Sequence, residues 1–292
     1  MKQALKIVVL AKQVPDTRNV GKDAMTAEGT VNRAALPAIF NPEDLNALEA
    51  ALSLKDAVEG STIHVLTMGP PRAADIIRES MFRGADGGYL LTDRKFAGSD
   101  TLATSYALSC ALKKIGADVI VAGRQAIDGD TAQVGPQVAQ KLNLPQVTYA
   151  EEILSVGENT ITIKRRLEHG TEVVEAPLPM VITVNESAKE CRPRNAKRVM
   201  KYKYALTSLE VAEQEDSLAS QMAAKRDYLQ ITVWGASDVD PDEQQLGLLG
   251  SPTKVKKIQN VVFQAKESKR LTASDEDINS LIVELIGSHT LG

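Results

Sequence analysis

Aromatic residues are scarce in this chain, at 4% of 292 positions, which excludes a surface of stacked rings for bases or sugars. Cysteine is scarcer. Cys110 and Cys191 are the two present, too few for a disulfide framework and not at metal-ligand spacing, so a reducing compartment, the cytoplasm, is the expected location. The three histidines, His64, His169 and His289, pair with no other ligand type, and no metal site is expected. A basic excess is also missing. The net charge of -4 gives no general attraction to nucleic acid, and no nucleic-acid partner is expected. No apolar run is long enough for a membrane span, and the first one is too short for a signal peptide and is followed directly by Lys12, so no membrane insertion is expected. The patterns G-x-x-x-x-G-K-[ST] and G-x-G-x-x-G do not occur, and Ser99 and Ser251 lack a G-x-S-x-G setting. With no acid-base or nucleophilic constellation, no catalytic residue is expected; if the chain takes part in catalysis, a bound cofactor must supply the chemistry and the chain its position and electrostatics.

What remains is an ordinary globular composition, 43% hydrophobic and 25% charged, on a chain long enough for one domain and an appendage. Its organising stretch is residues 118–136, D-V-I-V-A-G-R-Q-A-I-D-G-D-T-A-Q-V-G-P. Residues 119–122 are wholly apolar, as in a parallel strand buried on both faces. Gly123, Gly129 and Gly135 permit tight turns, and Asp128, Asp130 and Thr131 can cap a helix continuing through Val134, Val138 and Leu142. A helix start facing the C-terminal end of a parallel strand is where a phosphate sits well. A plain strand, loop and helix connection uses the same residues, and spacing alone leaves both readings open.

Residues 6–11 read as an inner strand, and Lys12 at its end either meets an anionic group or faces solvent. Residues 17–37, with Gly21, Gly29 and Pro37, predict a long excursion or small hairpin. Asn41-Pro42-Glu43-Asp44 starts a helix with Asn41 as its cap and Leu45, Leu48 and Leu52 on its apolar face. Strands are predicted over 61–67 and 85–91, with helices after Pro71 and over 101–114, the latter opened by Ser99-Asp100-Thr101 with a first turn suited to anions. Up to residue 145 the alternation of strand and helix predicts a doubly wound, mostly parallel α/β sheet.

Beyond Pro145 the pattern changes to short strands over 147–156, 160–166, 171–176 and 179–184, predicting an antiparallel extension. A basic run begins at Lys189 and holds Arg192 and Arg194 among seven Lys or Arg by Lys203. It suits a loop docking an acidic partner or a phosphate. Residues 205–225 read as linker or exposed helix, residues 228–234 as a last strand, and L-G-L-L-G-S-P-T-K-V at 246–255 as an irregular tail. The expected division is 1–204 as the α/β domain with its extension and docking loop, and 205–292 as an extended C-terminal tail lying on another chain or at the domain edge.

On these motifs the chain resembles the β subunit of the electron-transferring flavoproteins, heterodimers whose α subunit carries the other flavin-binding region. The specific pieces are A-K-Q-V-P-D-T at 11–17, N-P-E-D at 41–44, G-R-Q-A-I-D-G-D-T-A-Q-V-G-P at 123–136, and Arg165, Glu168, Gly170, Glu172 and Pro179 further on. His169 departs from the usual acidic residue or glycine. The resemblance implies a fold like that of the adenine nucleotide alpha hydrolases. It also implies a nucleotide at the strand ends, held by Ala11, Lys12, Asn41, Met68, Ser99, Asp100, Thr101, Thr104, Gly123, Gln125, Asp128, Thr131, Gln133, Val134 and Gly135.

Simple carriers of this family hold AMP there, and the electron-bifurcating group holds a second FAD. The K-Q-V-P-D-T loop and the L-G-L-L-G-S-P-T-K-V tail look more like the bifurcating group. In that case NADH is the electron donor, one electron goes to ferredoxin or flavodoxin, and the other passes through the α-subunit FAD to an acyl-CoA dehydrogenase or enoyl-CoA reductase. The loop from Lys189 to Met200 corresponds to the partner-docking loop, with Ala196 where a leucine usually projects, and Arg192 and Arg194 are the expected replacements for that anchor.

Overall fold

A computed structural model describes residues 4–16, 37–253 and 268–291. Of the excursion expected over 17–37, residues 17–36 lie outside the described residues, as does the end of the expected tail motif, Lys254 and Val255. The alternation expected up to residue 145 is present as β1 (Lys6–Leu10), α1 (Pro42–Ala57), β4 (Thr62–Met68), α2 (Ala74–Arg83), β5 (Gly87–Leu91), α3 (Thr101–Ile115), β6 (Val119–Gly123) and α4 (Val134–Leu142). Between β1 and α1 a short antiparallel pair intervenes, β2 (Gln13–Pro15) with β3 (Ala38–Phe40).

Apolar runs such as Ile7-Val8-Val9-Leu10 feed two cores at once because side chains alternate across a sheet. Ile7 and Val9 face the α1 and α2 side, with Leu48, Leu52 and Ile77. Val8 and Leu10 face the α3 and α4 side, with Leu108, Leu112 and Val138. Helices on both faces of a parallel sheet are what the doubly wound class requires, and the chain belongs to that class.

The remaining strands correct two expectations. β7 (Gln146–Val156), β8 (Thr160–Leu167) and β9 (Gly170–Pro177) form an antiparallel run as expected. β10 (Met180–Val184) does not join that run as an antiparallel strand. It lies between β6 and β7 and is parallel to both. Its five residues are all buried, and a run with no polar face fits an inner strand covered on both sides.

The boundary at 204/205 also fails to separate tail from domain. After α5 (Ala196–Tyr202), β11 (Leu206–Thr207) and β12 (Gln230–Trp234) extend the main sheet at the free edge of β5, all in parallel. Ala205, Leu229 and Ile231 are buried in the α1 and α2 core, under α6 (Ser208–Glu213) and α7 (Leu218–Ala224). The full order is β11-β12-β5-β4-β1-β6-β10-β7-β8-β9. α8 (Asp275–Gly287) has no buried residue and leaves a run of large apolar side chains exposed, Ile278, Ile282, Val283 and Ile286. No helix among the described residues is long and apolar enough to cross a membrane.

Because Leu229 is fully buried in the shared core, Leu229→Ala is expected to lower global stability by about 2–5 kcal/mol. Urea unfolding followed by far-UV circular dichroism tests this. A detachable tail would leave the main transition where it was.

Candidate functional site

Strand order reverses at β1, which has β4 on one side and β6 on the other. Loops leaving such neighbours in opposite directions open a crevice at their C-terminal ends. Here that crevice is a cavity of about 420 Å³, within the range of ligand sites. Its apolar lining comes from Leu10, Leu66, Met68, Phe96, Leu108 and Ala122.

The first turn of α1 builds the wall. Asn41 occupies the cap position but makes no side-chain cap bond. Its Nδ2 donates to Gln125 O at 2.9 Å and its Oδ1 accepts from Ile127 N–H at 3.1 Å, so it holds the loop after β6. Glu43 accepts from Gln125 N–H at 3.1 Å and from the Arg124 guanidinium at 2.9 Å. Asp44 accepts from Lys12 N–H at 2.8 Å and from Gly123 N–H at 3.2 Å, tying the ends of β1 and β6 together. The approach is close enough that a Cβ on Gly123 would lie 2.7 Å from the Glu43 carbonyl carbon, so only glycine fits. Burial pushes the Asp44 carboxyl up to about 7, against the N–H groups of Lys12 and Gly123, which favour its charged form.

The rest of the rim comes from the loop after β6 and two helix starts. Lys12 Nζ pairs with Asp128 at 2.7 Å, and Gln125 Nε2 donates to Asp130 Oδ1 at 3.0 Å. Asp130 and Ala132 sit at φ 48 and 51, a conformation that L side chains rarely adopt and that is found where a loop is held for function. Neither Asp128, Asp130 nor Thr131 caps α4. Gln133 occupies that position without a side-chain cap bond, leaving the helix start bare. The start of α3 is the reverse, since Asp100 Oδ1 accepts from Leu102 and Ala103 N–H. Burial of Asp100 acts to raise its carboxyl, but the N–H donors of Ala103, Thr253 and Leu102 outweigh it and hold the group below the usual carboxylate range. The anion-facing first turn expected at α3 is thus occupied by the chain's own carboxylate. Thr101 Oγ1 donates to Gln133 Oε1 at 2.7 Å and joins the two helix starts.

All the positions expected at the site face the cavity except two. Asn41 is fully buried behind the loop, and Asp128 is engaged by Lys12. The residues that sequence reasoning missed are Glu43 and Asp44, read there as part of a helix start and not as groups that tie the strand ends, and the apolar lining from Leu66 and Phe96. No group of metal-ligating side chains occurs among the described residues.

The basic loop lies away from the cavity, against α1 and α2. Arg192 is turned inward, its guanidinium 2.9 Å from the buried Glu49 carboxylate and 2.9 Å from Asp56. Arg194 rests on Glu79 at 2.7 Å. Arg192 therefore fastens the loop and does not project as the expected anchor. Arg194 stays largely exposed beside Glu79, and Ala196, Lys197 and Met200 are exposed on α5.

A doubly wound α/β domain with a crevice at its switch point defines a class of ligand-holding folds, and the comparisons narrow it. The electron transfer flavoprotein domain matches residues 28–214. The electron transfer flavoprotein subunit beta of Megasphaera elsdenii is 42% identical, covering 97% of this chain and all of that protein. Subunit CarD of the caffeyl-CoA reductase-Etf complex of Acetobacterium woodii is 42% identical over 86% of each chain. The acryloyl-CoA reductase electron transfer subunit gamma of Anaerotignum propionicum is 49% identical over 65% of this chain and 70% of that protein. The chain belongs to the electron transfer flavoprotein family, as a β subunit.

The Asp44 shift carries a pH signature. Below about pH 4 the carboxyl is protonated folded and unfolded alike; between about 4 and 7 the unfolded chain ionises first, so stability falls as pH rises. The slope is expected to reach roughly 1.4 kcal/mol per pH unit. Urea midpoints from pH 4 to 8 should show this fall, and Asp44→Asn should remove that component of it.

Proposed function

We propose that the crevice holds FAD and that the chain takes electrons from NADH, sending one to ferredoxin or flavodoxin and one through the FAD of an α subunit to an acyl-CoA dehydrogenase or enoyl-CoA reductase. The observation that carries the ligand class is an apolar pocket beside the bare start of α4 at the switch point, which suits a flat ring system joined to phosphate. The names of the caffeyl-CoA and acryloyl-CoA reductase relatives favour the bifurcating assignment. Bound FAD supplies the exchange between hydride and single-electron chemistry. The chain's own part is to hold and orient it. Leu10, Leu66 and Met68 exclude water from the ring system, and the backbone N–H groups at Val134 and Gly135 face the anionic portion. Lys12, Ser99, Thr101, Thr104, Gln125 and Thr131 supply polar contacts along the rim. Residues 268–291, with the uncovered apolar face of α8, pack on the α subunit.

AMP is the second reading. A cavity of about 420 Å³, near the small end of the usual range, favours it. Cofactor release from the purified heterodimer separates the two: two FAD and no AMP are expected, and one FAD with one AMP would make this a single-flavin carrier.

The partner dehydrogenase or reductase docks on the loop between Lys189 and Met200, with the projecting Met200, 64% exposed, as its apolar contact. Met200→Glu is expected to raise KM for the protein partner about tenfold, a change of roughly 1.4 kcal/mol, while flavin content stays intact. Partner kinetics that do not change would remove Met200 from this role.

A further inference from the structure

The segment 246–253, L-G-L-L-G-S-P-T, has no assigned role at the crevice, yet its packing is tightly specified. Gly247 sits at φ +53, and a Cβ there would collide with Lys95 O and lie 3.0 Å from Ala97 O. A Cβ on Gly250 would overlap the Gln245 carbonyl group. The Gly247 contact brings the segment against the turn that leads into α3, and the Gly250 contact folds the segment back on Gln245. From there Ser251, 2% exposed, accepts from Asp100 N–H at 2.8 Å and donates to Gly247 O at 2.6 Å. Thr253 N–H donates to Asp100 Oδ2 at 3.0 Å.

Asp100 is therefore held twice by residues far along the chain, by its N–H and by its carboxylate. Ser99, Asp100 and Thr101 line the crevice, whereas Ser251 and Thr253 do not. An irregular segment needs neither a buried hydroxyl at this depth nor two glycines in forced contact. Fixing a distant turn that faces a ligand does need them.

We propose that Ser251 is a positioning residue of the crevice. With Thr253 it holds Asp100 and the first turn of α3 in the orientation that meets an adenine nucleotide. This rests on the nucleotide-binding reading and deepens it, because the C-terminal segment becomes part of the site's rim. Linkage then makes the effect reciprocal: nucleotide binding tightens the hold of 246–253 on Asp100 by the same factor by which that hold strengthens nucleotide binding.

The test uses the heterodimer with its α subunit, stripped of nucleotide at this site, with AMP and FAD as probes in equilibrium dialysis. Ser251→Ala is expected to weaken AMP and FAD binding about tenfold, the effect of losing one hydrogen bond in a buried setting. Thr253→Pro removes the second hold at an exposed position, leaves Ser251 in place and is expected to weaken binding about threefold; it carries the test if Ser251→Ala does not fold. In the unaltered protein AMP should slow amide hydrogen exchange at Asp100 and Thr253 about tenfold, which a merely structural role for the segment would not produce. Unchanged affinity in the variants, or exchange at Asp100 indifferent to AMP, overturns the assignment of Ser251. An unaltered heterodimer that takes up neither AMP nor FAD overturns the nucleotide-binding reading itself, and this one with it.

Discussion

The carboxyl of Asp44 is the constraint on which the crevice depends. Two adjacent parallel strands, β1 and β6, must end side by side for a switch point to exist, and their chains then diverge. Divergence leaves the N–H groups of Lys12 and Gly123 without ladder partners in a place that water reaches poorly. An unsatisfied buried N–H costs about 1–3 kcal/mol. Asp44 accepts both, and its own burial is tolerated because each oxygen is hydrogen-bonded. An apolar residue there would close the gap and orphan two donors, while a solvated acid would leave them to water and fill the cavity. The crevice stays open because a helix start, not a side chain from the sheet, satisfies the strand ends.

That same helix reaches the basic loop. Two residues beyond Asp44, Asn46 donates to Ala188 O and Lys189 O at 3.1 and 3.0 Å, and Glu49 receives the Arg192 guanidinium and N–H. Burial acts to raise the Glu49 carboxyl, but the Arg192 bonds outweigh it and hold the group below the usual range. A buried carboxylate with its arginine is poor evidence of added stability, since taking both charges out of water offsets much of their attraction. It is good evidence of placement, because removing either partner leaves a buried charge. α1 thus fastens the crevice loop at one end and the basic loop along its length.

Much of this was legible before any coordinates. Apolar runs over residues 6–10, 62–66 and 119–122, with glycine stops between periodic segments, define the first strands and helices because local periodicity and burial agree there. The strand ends that carry Lys12, Met68 and Gly123 follow from the doubly wound class. Legibility fails where burial contradicts residue type or where pairing is non-local. Asn41, Glu43 and Asp44 look like any helix start, since nothing in N-P-E-D says that its side chains turn away from their own helix. Met180–Val184 is plainly a strand, but an all-apolar run does not announce which neighbours it takes. Residues 228–234 read as a strand within a tail because the polar stretch before them separates Ala205 from Leu229 and Ile231, three apolar positions that close the edge of β5.

The two helix starts at the rim give the crevice a direction that composition could not have suggested. α3 and α4 both begin beside the cavity, and each leaves backbone N–H groups that its own turns cannot satisfy. At α3 the chain supplies its own anion, Asp100, and the partial positive charge of that terminus is already neutralised. At α4 no side chain does so, and Pro136 in the first turn has no N–H to satisfy. An anionic group entering the cavity is therefore drawn toward Val134 and Gly135 and repelled from the Asp100 side, where hydroxyl donors are the better match for a carboxylate. The apolar pocket formed by Leu10, Leu66 and Leu108 takes what is left of such a molecule. One end charged, one end apolar and hydroxyls between is the pattern that the proposed nucleotide would meet, and the asymmetry comes from which of two neighbouring helices was left uncapped.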